Sequence, residues 1–471
     1  MYMTRTYISE APEQVGQTIE LKGWVASRRD HGKLIFIDLR DRTGVLQVVF
    51  LGKNAELFQQ ASILRDEFVV SIKGLVKARG EKQINKDVPT GSVELVAESL
   101  EILNTAETPV FEIEKAPTTS EELRMKHRYL DMRSSRMQNN IQKRHQIIKL
   151  IRDYLDEQKF LEIETPFLTK GTPEGAREFI VPARLSPGKF FVLPQSPQQF
   201  KQLLMVGGME RYFQIARCFR DEDTRGDRQA EFTQLDLEMS FVDQEEVMVL
   251  NEKLLISIVE KIYPDKRIQQ IPFPRISHAE AMEKYGSDRP DIREDKDDPN
   301  LLAFCWVVDF PMFEKTDKKE HHGATGEWTF THNPFSAPIP DHIQWLRNKE
   351  NIDQITASQY DIVLKGYEIG GGSIRSHRPD DLMKVLEIIG HSSENIQRDF
   401  GHILTALRFG APPHGGIAWG LDRLVMILQN EPSIRDVMAF PKTGDNRDLL
   451  MDAPNDISKK QLDDLDISIS H

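Results

Sequence analysis

One stretch of this sequence limits the possible folds more than any other, namely residues 219–241, FRDEDTRGDRQAEFTQLDLEMSF. Its second half alternates strictly, which predicts a β-strand because successive side chains of a strand point to opposite faces. One face carries Gln234, Asp236, Glu238 and Ser240, and the other carries Leu235, Leu237, Met239 and Phe241. An ordinary edge strand with a solvated outer face would show the same alternation. The neighbouring Arg220 and Arg228 favour the floor of a ligand pocket, since guanidinium groups bind phosphate and carboxylate well.

Length, charge and cysteine content exclude several classes of protein. A chain of 471 residues predicts two or three domains. The net charge of −13 argues against indiscriminate coating of nucleic acid. Basic residues are nevertheless concentrated at 22–42 and 124–152, which is compatible with a specific anionic partner. Two cysteines, no long apolar run and no signal-peptide core together predict a reduced, cytoplasmic protein.

Residues 1–105 are predicted to form a small β domain. Short strands are expected at 18–25, 34–39, 45–50, 69–73 and 93–96, with a helix at 54–64 between the third and fourth. This is the order of an OB-fold, whose second and third strands bind oligonucleotides. Five strands are also compatible with an SH3-like barrel, so the pattern alone leaves the two folds open.

The remainder is predicted to be a linker, residues 106–135, followed by a large domain, residues 136–471. A basic helix at 137–158 leads into a strand at 160–168 that contains Pro166. Because proline is poorly tolerated in a central strand, this one is expected at a sheet edge or a subunit boundary. A single strand is predicted at 360–369. The segment 415–428 is expected to pack as a helix on a sheet, with Ile417, Leu421, Leu424 and Leu428 on one side.

Several of these segments together resemble a known family. FRDED with the acidic strand resembles motif 2 of class II aminoacyl-tRNA synthetases, GGIAWGLDRLVMIL resembles motif 3, and the basic helix with Pro166 resembles motif 1. QSPQQFKQ at 195–202 and YEIGGGSIR at 367–375 are similar to aspartyl-tRNA synthetases of the bacterial type. The resemblance covers almost the whole chain. It implies an α+β protein, in which an OB-fold barrel precedes a catalytic domain built on an antiparallel sheet flanked by helices, and a homodimer formed through motif 1.

The resemblance also implies an ATP site. Arg220 would be catalytic, because it would contact both the α-phosphate of ATP and the α-carboxylate of the amino acid as charge develops between them. Asp361 and Glu368, expected close together at the end of one strand, would hold Mg²⁺. The ATP contacts implied by the family are Arg220, Glu222, Gln229, Glu368, Gly420, Leu421, Asp422 and Arg423.

For aspartate, the resemblance implies cations around the side-chain carboxylate and anions around the ammonium group. Lys201 and Arg375 would bind the β-carboxylate, so asparagine would leave both cations without an ion partner. Further contacts to the side chain would come from Gln198 and His332. The groups implied around the α-ammonium are Glu174, Gln234 and Asp236.

In the β domain, the resemblance implies that tRNA is recognised through its anticodon. The implied contacts are Arg29, His31, Phe36, Gln47 and Glu94. Phe36 would stack on a base, and its opposite parity to the neighbouring isoleucines predicts that it is exposed. Family members specific for tRNA(Asp) tend to carry leucine at the position of His31, whereas those that also charge tRNA(Asn) tend to carry histidine. The sequence therefore favours a non-discriminating enzyme, and a solvated histidine without effect remains open.

Besides His31, the chain departs from the bacterial pattern in a second respect. The domain usually inserted between motifs 2 and 3 is absent, and a short acidic segment at 287–299 stands in its place.

Three rival functions remain. An asparaginyl-tRNA synthetase should lack the pair Lys201 and Arg375, and a ligase paralogue that does not use tRNA should lack the OB-fold. A nucleic-acid-binding protein without catalysis would not need Arg220, Glu368 and Arg423 together.

Overall fold

The computed structural model describes residues 5–171, 175–316 and 326–469. The chain forms two compact units, Met1–Asn139 and Asn140–His471. The domain boundaries predicted at residues 105 and 135 stay a prediction. Glu174 lies outside the described residues. Within the described part, no helix combines the length and the apolar composition that crossing a membrane requires.

The first unit is built on a closed five-stranded barrel. The strands are β1 (Thr18–Asp30), β2 (Leu34–Asp41), β3 (Gly44–Leu51), β4 (Val69–Ala78) and β5 (Val93–Asn104). They pair in the order β1-β2-β3-β5-β4. Helix α1 (Ala55–Ser62) lies between β3 and β4, and the side chain of Asn54 caps it by accepting a hydrogen bond from the amide of Leu57. This arrangement confirms the OB-fold. Two short helices follow, α2 (Glu121–Lys126) and α3 (Arg128–Asp131).

Strand β2 confirms the predicted alternation of its side chains. Ile35 and Ile37 are fully buried in the barrel core, whereas Phe36 between them is only partly buried. The aromatic ring therefore lies on the outer face of the barrel, as its parity predicted.

The second unit combines helices with one large sheet. Helix α4 (Ser135–Glu157) enters it from the first unit. The other helices are α5 (Gln198–Val206), α6 (Gln244–Ile262), α7 (His278–Tyr285), α8 (Ile343–Asn348), α9 (Pro379–Ile388), α10 (Ser393–Leu407), α11 (Leu421–Leu428) and α12 (Lys459–Asp464). The strands are β6 (Leu161–Glu162), β7 (Ile180–Pro182), β8 (Phe190–Val192), β9 (Arg211–Phe219), β10 (Glu231–Ser240), β11 (Arg267–Ile268), β12 (Arg275–Ser277), β13 (Leu301–Leu302), β14 (Phe304–Val308), β15 (Phe313–Lys315), β16 (Trp328–Phe330), β17 (Gln359–Leu364), β18 (Tyr367–Ile374) and β19 (His414–Gly420).

The large sheet has the strand order β12-β14-β17-β18-β19-β10-β9-β6. Its six central strands, from β14 to β9, pair with one another in antiparallel fashion, which confirms the predicted sheet. The outermost pairs, β12 with β14 and β6 with β9, are parallel. Strand β10, the stretch with strict alternation, lies inside the sheet between β9 and β19.

Both faces of β10 are buried. Leu235, Leu237 and Met239 belong to the main apolar core together with residues of α6 and α11. Asp236 and Glu238 on the opposite face are also buried, so this is not an edge strand with a solvated face. Phe241 was predicted on the apolar face, and this was wrong. The strand ends at Ser240, the backbone of Phe241 has φ 59°, and its ring is mostly exposed.

Three other sequence-based predictions need correction. The strand predicted at 160–168 is reduced to β6, which does lie at the sheet edge but does not include Pro166. The strand predicted at 360–369 is a hairpin of β17 and β18, turned at Lys365 and Gly366, whose φ angles are 51° and 79°. The segment 415–428 divides into β19 and α11, so Ile417 lies in a strand. The acidic segment 287–299 contains neither helix nor strand.

The parity of β2 can be tested by two substitutions. Ile37→Ala should lower the free energy of unfolding by about 2–5 kcal/mol, because it removes buried methyl groups from the barrel core. Phe36→Ala should lower it by less than about 1 kcal/mol, since this ring does not belong to the core. Urea denaturation of both variants measures the difference. Equal losses would contradict the outward position of Phe36.

Candidate active site

A cavity of about 690 Å³ opens above the polar face of β10 in the second unit. Strands β10, β18 and β19, helix α5 and the loop after β9 contribute its lining. Most residues predicted to bind ligands meet here, although they are far apart in sequence. The predicted residues that line it are Gln198, Lys201, Arg220, Glu222, Gln229, Gln234, Asp236, His332, Glu368, Arg375, Gly420, Asp422 and Arg423.

At the floor of the cavity, two cations and two carboxylates form a buried cluster. The Lys201 Nζ lies 2.6 Å from Asp236 Oδ1 and 3.2 Å from Glu238 Oε2. The Arg375 guanidinium donates to both oxygens of Glu238, at 2.9 Å from Nε and 3.2 Å from Nη2. All four side chains are at most 2% exposed. Burial of this many charges is tolerated because each has an opposite charge in contact with it.

The environment separates the pKa values of the two carboxyl groups. Burial raises the pKa of Asp236 above its usual range, although Lys201 opposes this effect. Burial would raise the pKa of Glu238 as well, but Arg375 and Lys201 together hold it below its usual range. Glu238 is therefore the carboxylate that stays ionised and holds both cations. Asp236 is the carboxyl group that takes up a proton more readily.

The cluster leaves hydrogen-bonding groups free for a ligand. The ammonium of Lys201 has three hydrogens and two carboxylate acceptors. The guanidinium of Arg375 has five N–H groups, of which Nε and Nη2 serve Glu238 and Gly416 and Nη1 donates once, to Ser373. One donor on each cation thus has no acceptor among the described residues. Asp236 Oδ2 is buried and accepts no hydrogen bond from the described residues.

A second acidic group occupies the hairpin of β17 and β18. Asp361 accepts hydrogen bonds from His332 Nε2 at 3.0 Å and from Gln359 Nε2 at 2.8 Å. Glu368 lies on the neighbouring strand, so the two carboxylates meet across the hairpin. The prediction that both lie at the end of one strand was wrong. A Cβ at Gly371 would come within 2.8 Å of Asp361 Oδ1 and 3.2 Å of Glu368 Oε1, so the missing side chain leaves room for both.

These carboxylates affect the protonation of their neighbours. Burial raises the pKa of Glu368, and the charge of Asp361 raises it further against the opposing cations His332, Arg423 and Arg220. For His332, burial lowers the pKa, but Asp361 outweighs this effect and the pKa rises to about 9. Two carboxylates that repel each other in a buried cradle suit a hard divalent cation. Among the described residues, no group of three or more metal-ligating side chains occurs, so further ligands would have to come from water or substrate.

The end of the cavity beside Glu368 carries two arginines and the ring of Phe232. The guanidinium of Arg220 lies 5.1 Å from the centre of the Phe232 ring. Arg423 donates to the backbone carbonyl of Glu368 and pairs with Asp227 at 3.2 Å, and its Nε is buried without a partner in the described structure. Gln229 likewise has a buried Nε2 that lacks a partner among the described residues. This end therefore offers positive charge, unused donors and an apolar ring face.

The side chains of three residues predicted to contact ATP are already buried or paired within the protein. The side chain of Leu421 is fully buried in the apolar core, so only its backbone could contact a ligand. Both oxygens of Asp422 are engaged, one by Arg144 and the other by the amide of Thr233 at 2.8 Å. Glu222 lines the cavity and forms an ion pair with Arg228 at 2.8 Å.

The residues predicted to contact an anticodon lie on β1, β2, β3 and β5 of the barrel and in the loop after β1. Arg29 donates to both oxygens of Asp38 at 2.9 and 3.0 Å, and Gln47 donates to Glu94 at 3.1 Å. The His31 ring meets the Phe36 ring edge-on, with centroids 5.6 Å apart. The outer face of the barrel thus offers an aromatic ring flanked by oriented polar groups, the combination that single-stranded nucleic acids bind.

Two residues, one beneath the cavity and one in its lining, received no role from the sequence. Glu238 stands on the predicted polar face of β10, two residues after Asp236, and that position was the available signal. Phe232 precedes the regular alternation, and nothing in the sequence pattern separates it from a core residue. Their place in the site is recognisable only in the folded chain, where Arg375 contacts Glu238 and Arg220 contacts Phe232.

Comparison with known families agrees with both units. The model of class II tRNA synthetases (D, K and N) matches residues 120–444, and the model of the OB-fold nucleic acid binding domain matches residues 19–103. Among solved structures, the asparaginyl-tRNA synthetase of Pyrococcus horikoshii with asparaginyl-adenylate superposes with a TM-score of 0.74 at 25% identity, covering 94% of this chain and 98% of that one. The aspartyl-tRNA synthetase of Entamoeba histolytica shares the fold, with a TM-score of 0.71 at 24% identity and coverage of 93% and 91%.

Curated relatives are considerably more similar in sequence. The aspartate–tRNA(Asp/Asn) ligase of Rubrobacter xylanophilus is 41% identical, over 99% of this chain and 97% of the relative. The aspartate–tRNA ligase of Geobacillus kaustophilus is 40% identical, over 99% of both chains. The first alignment extends over 591 positions although this chain has 471 residues, so the relative contains more than a hundred internal residues without a counterpart here.

The raised pKa of His332 predicts how stability depends on pH. Because the folded pKa of about 9 lies above the unfolded value near 6.5, the stabilisation is complete below about pH 6.5 and is lost as the pH rises towards 9. The loss should reach up to about 3 kcal/mol. Denaturation curves of the metal-free protein and of His332→Gln, measured across this range, isolate the effect as their difference. Parallel curves would contradict the ion pair with Asp361.

Proposed function

The chain belongs to the class II tRNA synthetases and, within that family, to the aspartate–tRNA ligases, and we propose that its cavity joins L-aspartate to tRNA(Asp) in two steps. Aspartate and ATP first form aspartyl-adenylate with release of pyrophosphate. The acyl group then passes to the terminal adenosine of tRNA. The observation that carries the proposal is the buried cluster of Lys201, Arg375, Asp236 and Glu238, which matches the charges of aspartate.

The cluster accounts for selection of aspartate over asparagine. The spare donors on Lys201 and Arg375 suit the two oxygens of a side-chain carboxylate, and Asp236 Oδ2 suits the ammonium group. The amide of asparagine would turn N–H donors towards one of the two cations. A buried donor facing a cation is left unsatisfied, which is the condition under which polar sites reject near-isosteres strongly. The cluster thereby argues against the asparaginyl rival, although that family shares the fold.

The other end of the cavity suits ATP. Synthetases of this class generally use ATP with a divalent metal. Arg220 can neutralise the α-phosphate while the aspartate carboxylate attacks it, a stage at which negative charge accumulates. The ring of Phe232 and the guanidinium of Arg423 can hold the base, since purines stack on aromatic and guanidinium faces. Gln229 contributes a spare donor.

Mg²⁺ is the metal we assign to Asp361 and Glu368, because few carboxylates completed by phosphate oxygens and water are what this ion prefers. Bound there, it would supply positive charge to the phosphates of ATP. The repulsion between the two carboxylates, which raises the pKa of Glu368, would be relieved by such a cation. His332 and Gln359 hold Asp361 in position for this role.

The barrel is assigned to the anticodon. Phe36 offers a ring for base stacking, and Gln47 and Arg29 offer polar groups held by Glu94 and Asp38. His31 contacts Phe36 edge-on, and we assign to it the choice between tRNA(Asp) and tRNA(Asn). Relatives named for both tRNAs support charging of tRNA(Asn) as well, and a relative named for aspartate–tRNA alone keeps the strictly specific alternative open to test.

A homodimer and a cytoplasmic location complete the proposal. Leu161, Phe167 and Leu168 are about half exposed at and beside the edge strand β6, where an apolar surface needs a partner. The second copy of the chain is the partner that the motif 1 resemblance implies. Within the part of the chain that the structure describes, Cys218 and Cys305 are both buried and neither forms a disulfide, which is usual in a reducing compartment.

Charging of two transcripts tests this function. With labelled aspartate, ATP and Mg²⁺, both tRNA(Asp) and tRNA(Asn) should be charged, and their kcat/KM values should agree within about tenfold. His31→Leu should lower charging of tRNA(Asn) alone, while pyrophosphate exchange, which needs no tRNA, stays unchanged. Charging of tRNA(Asp) only would contradict the assignment of His31, and charging of neither would contradict the ligase itself.

A further inference from the structure

Two lysines meet outside the cavity, at the tip of the hairpin of β17 and β18. Lys365 occupies the turn of that hairpin, and Lys266 follows α6. Both side chains direct their amines to the same two oxygens, the carbonyl of Pro299 and Oδ1 of Asn430. Within the described ranges, neither amine has a carboxylate within 4 Å. Two like charges therefore share neutral acceptors without a counter-ion in contact.

The acceptors differ in number between the two amines. Lys266 Nζ has three, Pro299 O at 3.2 Å, Asn300 Oδ1 at 3.3 Å and Asn430 Oδ1 at 3.1 Å. Lys365 Nζ has two, Pro299 O at 2.7 Å and Asn430 Oδ1 at 3.3 Å. An ammonium has three hydrogens, whereas a neutral amine has two hydrogens and a lone pair. Among the described residues, Lys266 therefore has an acceptor for each of its three hydrogens, whereas a charged Lys365 lacks an acceptor for one of its three.

Burial and the neighbouring cations favour the neutral form of Lys365. Burial lowers the pKa of Lys365 to about 8, helped by the cations Lys266 and Arg293 against the carboxylates Asp291 and Asp298. At pH 7 about a tenth of this amine is then neutral, against well under a thousandth for an ordinary lysine. Partial desolvation and a neighbouring cation are the two features that activate lysine as a nucleophile.

We propose that Lys365 is an acylation site, whose amine attacks activated carboxylic acids of the mixed carboxylic–phosphoric anhydride class. The Nζ lone pair forms a bond to the acyl carbon, and the bond between that carbon and the phosphate oxygen breaks. The phosphate leaves with the electron pair, and the amine loses a proton to water. The product is a neutral amide with one N–H, which keeps one of the two acceptors and ends the contact between like charges.

Acetyl phosphate, a small anhydride of this class, provides the test on the full chain. Site-resolved mass spectrometry should show an initial rate at Lys365 at least about tenfold above that at Lys284 at pH 7. Lys284 is the matched reference, because it is exposed and Glu280, which pairs with it, raises its pKa. The rate at Lys365 should level off above about pH 8, whereas the rate at Lys284 should continue to rise.

A pair of variants tests the role of the neighbour. Lys266→Gln should slow acetylation of Lys365 at pH 7 severalfold, because it removes the adjacent positive charge, and Lys284→Gln should leave that rate unchanged. Thermal melts confirm that the variants are folded, and the pH profile of the unaltered chain is an independent readout if Lys266→Gln is unstable. Equal rates at Lys365 and Lys284, or a profile at Lys365 without a plateau, would overturn the proposal.

Discussion

The ion pairs beneath the cavity are the interaction on which the second unit depends most. Asp236 and Glu238 stand on a strand in the middle of the sheet, where unpaired carboxylates would be very costly. Lys201 comes from α5 and Arg375 follows β18, so each cation draws a separate part of the chain to β10. Pairs of this kind contribute little net stability, but removal of one partner leaves a buried charge unpaired and is strongly destabilising. The pairs therefore favour the one packing of α5, β10 and β18 in which all four charges are matched.

The same pairing prepares the cavity for its ligand. Cations that are already held by Glu238 need no reorganisation when a second carboxylate arrives, and binding loses little side-chain entropy. In the hairpin of β17 and β18, a carboxylate is held in position in the same way, before a cation binds. Asp361 is held by His332 and Gln359, beside a glycine that leaves space for Glu368. The buried cluster thus has the charges that we propose select an amino acid, and the two hairpin carboxylates are those that we propose hold a metal ion.

The sequence predicted those features that follow from local periodicity. The outward position of Phe36 and the polar face of β10 both come from the two-residue repeat of a strand, and both are confirmed. Features that depend on tertiary contacts were missed or wrong. Periodicity cannot show that the polar face of β10 is covered, or that Glu238 bridges two cations. The turn at Lys365 and Gly366 was overlooked inside the segment 360–369, which was predicted as a single strand.

Selection of a carboxylate by buried, pre-paired cations is the central claim of this account. Its most direct test is the ratio of kcat/KM for L-aspartate over L-asparagine in ATP–pyrophosphate exchange, a reaction that needs no tRNA. Because asparagine would turn an amide N–H towards Lys201 or Arg375 in place of a carboxylate oxygen, the ratio should be at least about 10⁴. A ratio below about ten would mean that the cluster does not discriminate charge, and the account of the cavity would be contradicted.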